Sequence, residues 1–389
     1  MKLLTGALAF IIILSGLTVA EEAKSFDDAL KLSGQLNKPV LLEFFKEDCE
    51  YCSQAAQDAI NRDDIKQALR QIVHYTVNFK SEPGKKLEET YQVGIYFPVF
   101  YLLNGSGDII QRWTGYTTAQ RFIGQLNNAL NDLTTIHEKE ARFKAKPTQT
   151  DALFLARYYT DIWDYLKANS YYGMAREILG GDPSYYSYDI FQNCANAAWQ
   201  DTIPFDQVLP AADSVLTFRS SSKTDILKVA QIMVRLGRKL NKTDRIGKYI
   251  QAAIGITSGS KSAKDIEDNT LLKSEYALYV DNDTTEAIRL KKTTLPSGWE
   301  SNPEHFYGYA KWCLEHDIDL DNAKAYTLRA SEMASPGEFR GKVYSTLAQI
   351  CDALSDYKEA VQYMRLAIKE DPHDPFYPDR LTEFEKKLN

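Results

Sequence analysis

Val40-Leu-Leu-Glu-Phe-Phe45 runs almost directly into Glu47-Asp-Cys49-Glu-Tyr-Cys52-Ser53. Lys38-Pro39 precedes the apolar run and charges follow it, so it reads as a strand buried on both faces of a sheet. Helical spacing takes over from Cys52 to about Gln71. A Cys-x-x-Cys pair at that junction sits where a helix begins. Two intervening residues allow a closed disulfide there, and the helix N-terminus stabilises a thiolate on the first sulfur. A static disulfide, half a zinc site and a Cu(I) pair use the same spacing. A structural zinc site needs four ligands, and the chain has no second Cys-x-x-Cys. Soft thiolates do suit Cu(I), so that reading stays open.

Working outward, the rest of the first third alternates between helix and strand. Ser25-Phe-Asp-Asp-Ala-Leu30 is a helix start with Ser25 as its cap. His74-Tyr-Thr-Val-Asn-Phe79 predicts a second strand, Glu82-Pro83-Gly84 a turn, and residues 85–92 a helix. Pro98-Val-Phe-Tyr-Leu-Leu103 and Asp108-Ile-Ile-Gln-Arg-Trp113 flank Asn104-Gly-Ser-Gly107, the pattern of a β-hairpin. An amphipathic helix over Thr118 to Leu133 completes the order α-β-α-β-α-β-β-α, an α/β sandwich.

Strand, Cys-x-x-Cys, helix and, some 45 residues on, Tyr96-Phe97-Pro98-Val99 opening a strand together resemble the thioredoxin fold. The likeness covers residues 25–133, and the Ser-Phe-Asp-Asp-Ala-Leu and Asn61-Arg-Asp-Asp-Ile65 segments resemble secreted bacterial thioredoxin-like proteins. The resemblance implies that Cys49 and Cys52 form a redox-active disulfide, with Cys49 the nucleophile and Cys52 the resolving thiol. It makes Pro98 a cis-proline facing the dithiol, with Phe97, Pro98 and Tyr51 as substrate contacts. Glu43, six residues before Cys49, matches the family's buried acid that relays a proton for the second cysteine. Leu41, Leu42, Phe44 and Phe45 around it agree with burial. No cofactor and no metal site is expected. The chain departs from the family at Asp48, where a Trp is common, and at Glu50-Tyr51 in place of Gly-Pro.

After about His137 strand signals vanish. Phe306, Tyr309, Ala310 and Cys313 recur as Tyr344, Leu347, Ala348 and Cys351, each 38 positions on, and Ala323 and Ala330 recur as Ala360 and Ala367, 37 on. The last unit resembles a tetratricopeptide repeat, and Leu155, Ala156, Tyr159, Ala168 and Ala175 repeat its offsets. Weaker hairpins at 185–218, 223–257 and 266–293 bring the expectation to roughly six, a tetratricopeptide-like all-α helical-repeat solenoid. Cys313 and Cys351 occupy equivalent positions on helices whose axes stand about 8–10 Å apart, which disfavours a bridge. With Cys194 they read as small buried hydrophobes. The histidines at 74, 137, 305, 316 and 373 are scattered along the chain. The expected domains are therefore a signal peptide at 1–20, a thioredoxin-like domain at 21–138 and the helical repeats at 139–389.

The 389 residues carry 46 basic and 53 acidic side chains, a net charge of -7, which leaves no basic footprint for nucleic acid. Leu3 to Ala20 is uncharged and ends Thr18-Val19-Ala20, the form of a secretory signal that exports the chain to a periplasm-like compartment. An uncleaved anchor is the alternative. Together these features predict a secreted thiol–disulfide oxidoreductase, leaning towards reductase. Its partners would be protein thiols and disulfides, a membrane-bound reductase as electron donor, and a protein docked on the repeats. The rival functions are a redox-silent binding scaffold and a copper-handling protein. Mass spectrometry of the exported protein should find Glu21 as the first residue; an intact Met1 on membrane-bound protein would support the anchor.

Overall fold

The computed structural model describes residues 23–47, 49–218, 221–374 and 376–388, so the expected leader and Asp48 lie outside the described residues. Backbone contacts divide the chain into two compact units, Met1–Ala197 and Ala198–Asn389.

The first unit opens with α1 (Phe26–Leu36), β1 (Val40–Phe45), α2 (Glu50–Asn61), α3 (Asp63–Leu69), β2 (Val73–Asn78), α4 (Glu82–Glu88), β3 (Val99–Leu103), β4 (Ile109–Thr114) and α5 (Ala119–Leu130). The sheet order is β2-β1-β3-β4, with β1 parallel to β2 and antiparallel to β3, and β3 antiparallel to β4. β1 and β3 are central and buried almost throughout, as their unbroken apolar runs require. Leu42, Phe44 and Tyr101 pack on one face with Ala29 of α1 and Leu87 of α4. Leu41, Phe100 and Leu102 pack on the other with α2, α3 and α5.

Two local expectations differ from the observed elements. The helix after the dithiol is broken at Arg62, which is extended (φ -109, ψ 122). Asp63 and Asp64 then occupy the first turn of α3, where carboxylates favour a new helix start. Glu82-Pro83-Gly84 is not a turn but the first turn of α4, capped by Ser81, whose hydroxyl accepts the Gly84 N–H. Proline costs little there because its missing N–H would have had no partner.

The compact unit does not end with α5. It continues through α6 (Ile136–Ala145), α7 (Gln149–Asp161), α8 (Tyr165–Ile178) and most of α9 (Ser187–Trp199). The expected boundary at 138 falls within α6, and the division by backbone contacts falls at Ala197/Ala198. The reason is visible at the junction. Arg142 of α6 donates through Nε to Asp151 Oδ2 at 3.1 Å and through Nη2 to Asp132 Oδ2 at 2.9 Å, tying the end of α5 to α6 and α7. Lys139 is buried and donates to the carbonyls of Asp132 and Thr134. α6 and α7 also pack on the edge strand β4, which brings Ile109 into a cluster with Phe143 and Tyr158 and leaves that edge covered.

The second unit is all helical: α10 (Leu209–Thr217), α11 (Lys223–Lys239), α12 (Gly247–Thr257), α13 (Ala263–Tyr279), α14 (Thr284–Thr293), α15 (Pro303–His316), α16 (Leu320–Met333), α17 (Glu338–Ala353), α18 (Tyr357–Glu370) and α19 (Tyr377–Leu388). Successive helices pair as antiparallel hairpins, α11 with α12 through α17 with α18. The repeated alanines Ala323, Ala330, Ala360 and Ala367 are fully buried on α16 and α18, where small side chains let paired helices approach closely. That is the helical-repeat fold expected from the 37- and 38-residue periods. Among the described residues no helix is long and apolar enough to cross a membrane.

The junction should be measurable as a stability element. Burial alone would raise the Asp132 carboxyl, but hydrogen bonds from Arg142 and Thr134 win and hold it below the usual carboxylate range. A lowered folded value stabilises the fold fully above the unfolded carboxylate pKa and loses that contribution as pH falls towards the folded one. Arg142→Ala, which strands the buried Asp151, should cost about 1–3 kcal/mol at neutral pH. The gap between variant and wild type should narrow in melts at strongly acidic pH. Equal melting at pH 7 would remove the staple.

Candidate functional site

β1 delivers the chain to the dithiol. Its last residues Phe44 and Phe45 pair with Val77 and Asn78 of β2, and the chain then passes Lys46 and Glu47 to reach Cys49. Cys49 is the cap of α2, in extended conformation, and its Sγ accepts the Cys52 N–H at 3.1 Å. The two cysteines form a disulfide with Cα atoms 5.2 Å apart. Both residues are buried, Cys49 at 8% and Cys52 at 6% exposure, so residue accessibility hardly distinguishes them. What does distinguish them is the amide. Only Cys49 stands at the helix end with a backbone N–H aimed at its sulfur, the arrangement that stabilises a thiolate.

Phe97 belongs to the same buried cluster as Cys49 and Cys52, and the Phe97–Pro98 peptide bond is cis. The Pro98 carbonyl accepts the Gly115 N–H at 2.7 Å at the start of the β3–β4 pairing. The Phe79 ring packs tilted against Phe97 with centroids 5.0 Å apart, and Lys46 lies over the Phe97 ring. Tyr51 is more than half exposed on the first turn of α2. The structure thus brings Cys49, Cys52, Phe97 and Pro98 to one end of the sheet, with Tyr51 at the rim.

Glu43 is buried, in the middle of β1 opposite Thr76 and Phe100. Side chains alternate along a strand, so Glu43 shares the face of Leu41, the one covered by α2, the helix that carries Cys52. It is not alone there. His74 Nε2 of β2 lies 2.9 Å from Glu43 Oε2, giving the carboxyl a half-buried hydrogen-bonding partner. In the sequence His74 is one of five scattered histidines, within a strand, and no local pattern links it to Glu43. Its one signal was position, since parallel pairing sets His74 beside Leu41, two residues before Thr76 faces Glu43.

The remaining cysteines stand apart from this chemistry. Cys194, Cys313 and Cys351 are free thiols. Burial pushes the Cys313 and Cys351 thiols up to about 12, which suppresses the thiolate and makes them inert packing residues. Trp113 is buried and stacks on Phe100 at 5.4 Å, and the Tyr116 hydroxyl donates to Asp58 Oδ2 at 2.5 Å. Among the described residues no group of three or more His, Cys, Asp or Glu side chains is placed to hold a metal ion.

The sheet, the helix-capping dithiol and the cis-proline beside it define a thioredoxin-like domain, and residues 26–130 match the family model described as the thioredoxin-like domain. No curated protein matches the chain. Among solved structures, yeast Tom70 is 14% identical, with 68% of this chain and 53% of Tom70 covered at a TM-score of 0.38. BtubC from P. vanneervenii is 13% identical, with 61% of this chain and 91% of BtubC covered at a TM-score of 0.25. The chain spans about half the length of Tom70. At such scores neither likeness carries an argument, and the helical-repeat assignment rests on the chain's own hairpins.

The Glu43–His74 pair yields a kinetic prediction. Glu43→Ala leaves His74 without its carboxylate, and should slow release of a mixed disulfide at Cys49 by about tenfold or more while alkylation of Cys49 keeps its rate. Unchanged release across neutral pH would make the pair purely structural.

Proposed function

We propose that this chain is a thiol–disulfide oxidoreductase whose helical repeats dock a protein partner. The observation that carries the reading is the Cys49–Cys52 pair at the start of α2, with the Cys52 N–H aimed at the Cys49 sulfur. In the reduced form the Cys49 thiolate attacks a substrate disulfide, forming a mixed disulfide and releasing one substrate thiolate. Cys52, having lost its proton, attacks the Cys49 sulfur and releases the second substrate thiol. The substrate disulfide gains two electrons and the dithiol is oxidised to the Cys49–Cys52 disulfide. A dithiol donor must then reduce it again. The roles proposed are nucleophile for Cys49, resolving thiol for Cys52, proton relay for Glu43, and substrate contact for Phe97, Pro98 and Tyr51.

Glu47 and Glu50 are exposed beside Cys49 and oppose its thiolate, which favours the reducing direction. In that direction the donor would be a membrane-bound reductase, and the leader at 1–20 would place the chain in a periplasm-like compartment. The repeats offer a cleft of about 380 Å³ between α11, α13 and α15, where Arg238, Glu275, Trp312 and His316 line a surface suited to a polypeptide. A redox-silent scaffold is the second reading, favoured by the burial of both cysteine residues.

Cys52→Ser should accumulate a mixed disulfide through Cys49 that is visible on non-reducing gels and lost on reduction. Cys49→Ser should trap nothing. If neither variant traps protein and the wild type reduces no disulfide, the scaffold reading takes its place.

A further inference from the structure

Two left-handed residues meet where the loop that leads into Pro98 lies against the turn between α7 and α8. Gly94 is left-handed (φ +80), and a Cβ built there would stand 3.1 Å from the Trp163 ring. Trp163, in the turn between α7 and α8, is itself left-handed (φ 67), a costly backbone for a bulky side chain. The Trp163 N–H donates to the Thr160 carbonyl at 3.1 Å, and Asp164 caps α8 by accepting the Lys167 N–H at 3.1 Å. The turn is therefore pinned from both sides, and it lays the indole on Gly94. Trp163 nevertheless keeps 39% of its surface exposed.

That indole continues an apolar surface. Ile95 and Tyr96, next along the loop, are 67% and 68% exposed, and Leu166 on the first turn of α8 is 51% exposed. Tyr96 also lies close enough to Tyr165 that its phenol adds to the effect of burial in raising the Tyr165 phenol. Phe97 follows directly and packs in the cluster that holds both cysteines. Gly94 is three residues from Phe97, within about 10 Å of chain. An exposed, contiguous apolar surface at this position marks a contact site for a polypeptide, and a rigidly held indole offers contact area at little entropic cost. Glu47 and Glu50 supply an acidic rim beside Cys49.

We propose that Trp163, Ile95 and Tyr96 form a docking platform for an extended polypeptide segment whose disulfide is flanked by apolar residues and a basic one. The inference rests on the dithiol reading above, and gives that site its substrate class. Small anionic disulfides such as oxidised glutathione bring carboxylates against the acidic rim and find no use for the platform.

The test uses the full chain and two disulfide-bridged peptides, one with Phe and Arg beside the cysteine and one with Gly and Asp, together with oxidised glutathione. Pre-reduced wild type, followed through a single turnover in which its dithiol becomes the Cys49–Cys52 disulfide, should reduce the Phe/Arg peptide with a second-order rate constant about tenfold or more above the other two. Trp163→Gly keeps the left-handed backbone but removes the ring, and should erase most of that preference. Trp163→Phe should restore part of it, and Ile60→Ser, an equally exposed apolar residue at the far end of α2, should leave it intact. Should Trp163→Gly fail to fold, Tyr96→Ser reads the same surface. A serine-for-cysteine version of the Phe/Arg peptide, titrated calorimetrically into Cys49→Ser with and without Trp163→Gly, reports the platform without any redox step. Exchange with equal rates for both peptides and no effect of Trp163→Gly or Tyr96→Ser overturns the platform and leaves the dithiol reading standing. Trp163-dependent binding without exchange keeps the platform and overturns the dithiol reading. Faster exchange with oxidised glutathione also overturns the platform.

Discussion

β1 is buried on both faces, and a strand in that position can end in only a few ways. Helices must cover it above and below, which α1 and α4 do on one side and α2, α3 and α5 on the other. The exit from its C-terminal end then leads into the first turn of a covering helix. Cys49 becomes the cap of α2, with the Cys52 amide at 3.1 Å from its sulfur. The same burial decides the fate of the one polar residue in the run. An unpartnered carboxyl in an apolar layer is expensive, and Glu43 is instead joined to His74 across the parallel pair.

The second constraint acts at the opposite edge of the sheet. β4 has no further strand to pair with, and an open edge invites association with other chains. Here α6 and α7 cover it, held by Arg142 between Asp132 and Asp151. Arg112 of β4 is buried as well, donating to the Tyr101 hydroxyl and the Val93 carbonyl, and so fixes the segment just before Gly94. Covering the edge thus has a consequence at the dithiol end of the sheet. It brings the α7–α8 turn against the loop that precedes Pro98. The first helical hairpin is part of the same compact unit as the α/β fold.

What was legible in the sequence followed from strong, local patterns. The apolar run of β1, the dithiol at a helix start, the hairpin around Asn104-Gly-Ser-Gly107 and the alanine spacing of the repeats each occupy a short window. What was not legible depends on groups brought together from a distance. His74 is 31 residues from Glu43, and nothing local marks it as a partner. Trp163 and Gly94 meet only once the helices fold back onto β4. The change of composition near 138 marks the end of strand-forming sequence, whereas the compact unit ends where contacts thin out at Ala197. Glu82-Pro83-Gly84 misled for a different reason, because proline and glycine serve a helix's first turn as readily as a loop when a capping serine precedes them.

The charges around Cys49 fit this division of labour. A helix N-terminus stabilises an anion by about 0.3–1 kcal/mol when it lies near the surface. Glu47 and Glu50 oppose it through water, where the interaction is screened within about 10 Å. Glu47 is further restrained by accepting the Asn78 side-chain amide at 3.0 Å. On the proposed reading these effects act on the Cys49 sulfur in opposite directions. That suits an attacking sulfur, because nucleophilicity falls as a thiolate becomes too stable. Such opposed effects give little discrimination among disulfides by sulfur chemistry alone. On the proposed docking reading, discrimination is then left to the surface around the site, where an acidic rim and an indole on a left-handed turn would act on the flanking residues of whatever arrives.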